Sequence, residues 1–222
     1  MNLQNPVYAA LNGPHAEFAE IRGNARRFPT AMAPFLGMPD EPTAQDWADA
    51  AQLLGPGGGA ALIRPEFTIP DSFKLDRHID LVQYTAPADL PAAEPEAVVL
   101  GVDDVPEMLA LVALTDPGPF RSRTIELGTY LGVRRDGELI AMAGTRFALP
   151  QYTEISAVCT HPSYQGQGLA RRLIRAVAAH IATTGRTPFL HTGATNTNAI
   201  RLYNTLGFTL TNQMKVSILE AV

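Results

Sequence analysis

The stretch from Tyr152 to Thr183 constrains this chain most. Tyr152 to Thr160 is β-prone, and alternation would set Ile155, Ala157 and Cys159 on one face and Ser156, Val158 and Thr160 on the other. Next comes a glycine-rich turn, Tyr164-Gln-Gly-Gln-Gly-Leu-Ala170. Leu169, Leu173, Val177 and Ile181 then recur at helical spacing, and Gly185 stands where the helix should be capped. A strand that feeds a helix through glycines leaves the first helical amides without acceptors, at the positive end of the helix dipole. Glycines at 166 and 168 let a ligand come close to the backbone, and Arg171 and Arg172 add local positive charge. The arrangement suits a pyrophosphate. It is not a P-loop, because Leu169-Ala170 replaces the Lys and Ser/Thr that motif needs, and not a dinucleotide turn, because Arg171 occupies the third glycine's place.

The rest of the chain reads as α/β. Thr43-Ala-Gln-Asp46 has capping-box spacing and opens a helix through Trp47, Ala51 and Leu54, with Trp47 in the core. Gly55 to Gly59 end it, Ala60 to Ile63 follow as a strand, and another strand lies near Leu81-Val-Gln-Tyr84. Ala86 to Pro95 is the expected linker, which divides the chain into regions 1–95 and 96–222. Beyond it, Ala97 to Leu100 is β-prone and Pro106 to Val112 helical. Arg135-Asp136-Gly137 joins Thr129–Val133 to Leu139–Ala143 as a hairpin. Pro188 to Thr192 reads as a strand, Ala199 to Leu206 as a helix ended by Gly207, and Phe208 to Ile218 as a last strand.

Composition removes several classes. A net charge of -5 argues against a nucleic-acid partner. One cysteine, Cys159, allows no internal disulfide and fits a reducing cytoplasm. No apolar run is long enough to span a membrane, the first residues do not resemble a signal peptide, and no spacing suggests a metal site.

Gln165-x-x-Gly168-x-Ala170 resembles the signature of the GCN5-related N-acetyltransferase superfamily. Val158-Cys-Thr-His-Pro162 resembles the strand and loop before it, and Asn196-x-x-Ala-x-x-Leu-Tyr203-x-x-Leu-Gly-Phe208 the family's later helix and terminal strand. The likeness covers about residues 97 to 218 and is nearest to the FR47-like branch. It implies a mixed central sheet, splayed between two strands and flanked by helices, with region 96–222 as the catalytic domain. Region 1–95 matches no motif as clearly; a degenerate second copy of the same fold is one reading of it.

The resemblance also implies acetyl-CoA as co-substrate and an acyltransferase acting on a small-molecule or peptide amine. Val158, Cys159 and Thr160 would lie along the pantetheine arm, Gln165, Gly166, Gln167, Gly168, Leu169, Ala170 and Arg171 around the pyrophosphate, and Asn196 near the coenzyme. Tyr203 matches the family's acid beside the sulfur, and Glu154 stands where some members carry a catalytic carboxylate. His161 is a rival base or a loop residue. Cys159 reads as a small core residue, His180 and His191 as surface or strand residues, and Arg121 and Arg123 as solvated surface or receivers of an acidic acceptor. A non-catalytic acyl-CoA-binding module is the alternative. A homodimer is left open.

Overall fold

The computed structural model describes residues 3–90 and 97–222. Residues 91–96 lie outside the described residues, and with them the second half of the expected linker, residues 91–95. In chain order the elements are α1 (Pro6–Leu11), β1 (Glu20–Arg22), β2 (Ala25–Arg27), β3 (Leu36–Gly37), α2 (Ala44–Leu54), β4 (Gly59–Arg64), β5 (Phe73–Thr85), β6 (Val98–Leu100), α3 (Val105–Thr115), β7 (Tyr130–Arg135), β8 (Glu138–Ala148), β9 (Tyr152–Thr160), α4 (Leu169–Thr183), β10 (Thr187–Gly193), α5 (Thr197–Thr205) and β11 (Thr209–Ala221).

Local chemistry explains the elements read from sequence. Thr43 and Asp46 form the reciprocal capping box that starts α2. Asp136 and Gly137 both have positive φ, 52° and 86°, the backbone of a type I′ hairpin turn between β7 and β8. On α4, Leu169, Leu173, Ile174, Val177, Ala178 and Ile181 are buried, and each large apolar side chain taken from water contributes about 1.5–3 kcal/mol. Strand β5 runs well beyond the expected Leu81–Tyr84, because residues 74–80 are exposed polar-rich sequence held in strand form by β11. Helix α1 and the three-stranded antiparallel sheet β1-β2-β3 carry no strong periodicity and were not expected.

Eight strands form the main sheet, in the order β4-β11-β5-β10-β9-β8-β7-β6. Two of them, β4 and β5, come from the first half, and β5 inserts between β11 and β10. The strand order therefore crosses the division expected at residue 95: the first half completes the sheet of the second. The pairing of β9 with β10 is the only parallel one among the described pairings of this sheet and is short, Thr187–Tyr152, Pro188–Thr153 and Phe189–Glu154. Past Glu154 and Phe189 the two strands separate, which is the splay implied by the resemblance.

Beneath α4 and α5 the sheet buries Ile155, Leu190, Tyr203 and Phe208. Its opposite face is covered by two clusters: Val7, Leu11, Phe28 and Phe35 of the first half meet Phe147 and Phe189, and α3 meets Tyr130, Ala157 and Cys159. The simple alternation expected along β9 fails. Gly144 pairs with Ser156 and Met142 with Cys159, so Ala157 and Val158 together oppose Ala143. Ala157 has φ 52°, a bulge conformation, and it turns Ala157 and Cys159 to the face opposite Ile155, while Val158 packs on Ile155's side.

Candidate active site

At the head of α4 the expected turn is formed as an open cradle. Gly166 and Gly168 have φ 77° and 76°, and Gly168 is the helix N-cap, so no side chain caps the helix. The first bond of α4 runs from the Arg172 amide to the Gly168 carbonyl, 3.1 Å. Among the described residues, the amides from Gly166 to Arg171 have no acceptor. A Cβ at Gly166 would meet nothing within 4 Å, and one at Gly168 only the Arg171 guanidinium at 3.6 Å. Protein packing therefore does not require these glycines. The backbone conformation does, and so would a ligand lying on the cradle.

The gap beside the cradle offers further free backbone groups. His161 donates its amide to the Ile140 carbonyl at 2.7 Å, so by alternation Thr160 and Val158 turn their backbone groups away from β8, into the gap. The Thr160 hydroxyl is buried without a partner. Cys159 points into the α3 cluster, and burial pushes its thiol up to about 11, so it is a packing residue rather than a nucleophile. Asn196 caps α5, its side-chain oxygen accepting from the Ala199 amide at 3.1 Å, and its NH2 group has no partner among the described residues.

Tyr203 lies on α5 beneath the gap, its ring 5.8 Å from Tyr84 and 5.9 Å from Phe208. Burial pushes its hydroxyl up to about 12. The hydroxyl has no hydrogen-bond partner among the described residues, yet it is not sealed from solvent. It is a neutral, uncommitted donor.

Glu154 is not the strand-end carboxylate a base would need. The second irregularity between β8 and β9 sets Arg146 and Phe147 together against Glu154. Arg146 grips both Glu154 oxygens, Nε to Oε2 and NH2 to Oε1, each 2.8 Å. Its guanidinium also lies 4.9 Å from the Phe35 ring and 4.6 Å from that of Phe147. His191 Nδ1 sits 2.8 Å from Glu154 Oε1. Burial would raise the Glu154 carboxyl, but Arg146 and His191 overcome it and hold the group down at about 2. A carboxylate that acidic, and only 1 % exposed, takes up a proton poorly.

The polar row continues across the sheet. His191 Nε2 is 2.8 Å from the Gln83 amide nitrogen, which also donates to the Leu3 carbonyl. Asn212 donates to the Gln83 oxygen. Five adjacent strands thus contribute Arg146, Glu154, His191, Gln83 and Asn212 in one line. Sequence reading placed His191 in a strand and missed its partners, because Gln83, 108 positions away, gives no local signal. His161 is a loop residue, its Nδ1 accepting from the Ser163 amide. Arg121 and Arg123 are not free for an acceptor: Arg123 forms a forked pair with Glu126, and Arg121 donates to the Thr30 carbonyl.

Residues 130–216 match the family described as FR47-like protein. Over 100 residues the chain is 32% identical to N-alpha-acetyltransferase RimI of Mycobacterium tuberculosis, a match covering 42% of this chain and 62% of that relative's length. Among solved structures, a GNAT-family protein from Novosphingobium aromaticivorans shares 41% identity with a TM-score of 0.91, over 99% of this chain and 98% of its own. A GCN5-related N-acetyltransferase from Kribbella flavida is 14% identical with a TM-score of 0.68, over 100% and 96% of the two chains, a likeness of fold.

Proposed function

Because this chain belongs to the GCN5-related N-acetyltransferase family, we propose that it transfers an acetyl group from acetyl-CoA to a primary amine of a small molecule or peptide, by direct attack in a ternary complex. The observation that carries the reading is the run of unpaired amides from Gly166 to Arg171, opening onto the gap between β9 and β10. The diphosphate would rest on those amides, and the pantetheine arm would add as a strand along Val158 and Thr160. Asn196 has its NH2 group to offer the same ligand.

The chemistry follows from the two faces of the gap. A neutral amine attacks the thioester carbon, the N–C bond forms, and the tetrahedral oxyanion needs a backbone donor, for which the gap-facing Val158 amide is placed. The C–S bond then breaks and its electron pair leaves on sulfur. Tyr203 approaches from the α4 face. Its pKa of about 12 lies about 3 units above that of a thiol, so outright proton transfer to the thiolate would cost about 4–5 kcal/mol. A hydrogen bond to the developing thiolate is its better role, and the proton shed by the nitrogen reaches the thiol through water.

In this reading regions 1–95 and 96–222 work as one unit, since β5 completes the sheet beside the gap. A peptide α-amine is the favoured acceptor, by analogy with the curated relative. No helix among the described residues is long and apolar enough to cross a membrane, and the cytoplasm is the proposed compartment. The tight pairing of Glu154 favours one rival, a non-catalytic acyl-CoA-binding module. Thiol release from acetyl-CoA across a panel of amines and peptides separates the two. Turnover supports the enzyme; coenzyme binding without turnover on any acceptor supports the module.

A further inference from the structure

Resting on the acyl-transfer reading above, the geometry points to His191 as the group that takes the amine's proton, with Glu154, Arg146 and Gln83 as residues that position it. Four observations carry this. The first is location. Phe189–Glu154 is the last paired rung before β9 and β10 part, and His191 stands two residues past it on the lip of the gap. Alternation puts His191 on the face of Phe189, whose ring is 5.6 Å away, and therefore opposite the face that holds Tyr203. The gap is where the two faces communicate, so an amine beside His191 and a departing sulfur beside Tyr203 would meet one thioester from opposite sides.

The second is orientation. With Glu154 ionised, Nδ1 must carry the proton that donates across the 2.8 Å contact. Gln83 NH2 on the other nitrogen requires a lone pair there, and the Leu3 carbonyl, which can only accept, keeps that amide from being turned the other way. Both partners select one arrangement, Nδ1 as donor and Nε2 as acceptor. The third is charge. Protonating Nε2 creates an imidazolium against the Glu154 carboxylate, which steadies it, while Arg146 holds that carboxylate in place. Among the described residues, Glu154 bonds His191 directly, with Arg146 and Tyr130 behind it; Tyr152 lies on the same face against the Phe189 ring and His15 against Phe28, and β5 and β11 present the amides Gln83 and Asn212. The fourth is displaceability. Only one of the hydrogen bonds on His191 must be exchanged for the incoming amine, the one from Gln83, which keeps its bond to the Leu3 carbonyl.

In the step proposed, the nitrogen lone pair forms the N–C bond, the C–S pair leaves on sulfur, and the N–H proton moves to Nε2 and returns through solvent to the thiolate. The products are an amide and free thiol, and His191 is regenerated.

The test combines kinetics with a readout independent of turnover. His191→Asn keeps a donor for Glu154 but has no basic nitrogen. Its kcat should fall about 10²–10⁴-fold with coenzyme affinity unchanged, and the acid limb of the wild-type pH profile should vanish. Gln83→Glu should also lower kcat, because a carboxylate there fixes a proton on Nε2. Nitrogen NMR of histidine-labelled protein, with His191→Asn for assignment, should show Nδ1–H and a bare Nε2. An unchanged pH limb in His191→Asn, or an Nε2–H tautomer, overturns the assignment while leaving acyl transfer standing. If the wild type releases no thiol with any amine, both fall together.

Discussion

The cradle at the head of α4 and the polar row from Arg146 to Asn212 flank the same gap, yet they are built in opposite ways. The cradle is seven consecutive residues, Gln165 to Arg171, in which six amides make no bond among the described residues. The row is five residues from five strands, and nearly every polar atom in it is already bonded. The cradle can change without unfolding the protein, whereas the row holds buried charge and ties ligand chemistry to stability. Unmade bonds mark where a ligand is expected, and bonds made in excess mark groups that position others.

That contrast can be broken most sharply at Glu154. Glu154→Ala strands the Arg146 charge in the sheet and should cost about 3–5 kcal/mol of stability, read as a lower denaturant midpoint at unchanged slope. A fall under about 1 kcal/mol would mean the row is wet and not structural. Acid should do the same reversibly. The folded carboxyl is depressed to about 2 from 4.5, so the unfolded chain binds the proton first as pH falls. The stabilisation is fully present above about pH 5 and is lost between there and about pH 2, a loss of about 3 kcal/mol that Glu154→Gln should not show.

Tyr203→Phe belongs to the other side of the contrast. Because its hydroxyl has no partner among the described residues, melting and coenzyme affinity should hold while kcat falls about 10²-fold, close to 3 kcal/mol of barrier. Unchanged kcat would remove Tyr203 from the chemistry. Smallest is Gly166→Ala. Its φ of 77° makes a side chain cost about 1 kcal/mol, but the methyl meets no protein. Calorimetry should find coenzyme binding weakened several-fold beyond any change in fold, and an equal affinity would move the diphosphate off this turn.

Much of the fold was legible because its signals are local. Strand β9 and helix α4 fall where Tyr152–Thr160 and Leu169–Thr183 were read, since alternation, helical spacing and glycine punctuation act within a few residues. The capping box at Thr43 and the Asp136-Gly137 turn are of the same kind. The face assignment along β9 failed at Ala157, because a bulge is set by register against β8 and not by β9's own residues. Glu154, expected as a base, stands instead in an ion pair, since nothing near it in sequence announces Arg146 or His191.

By itself, then, the sequence determined the cradle and the elements that carry it: glycines, a helix start and an apolar stripe enforce their geometry over short range. Only the tertiary structure decided which side chains share the interior. It brought β5 in beside β10, put Gln83 against His191, and converted Glu154 from a free carboxylate into half of an ion pair. The physical reason is that a pKa and a hydrogen-bond tautomer depend on what surrounds a group, and those neighbours come from strands that meet only when the sheet closes.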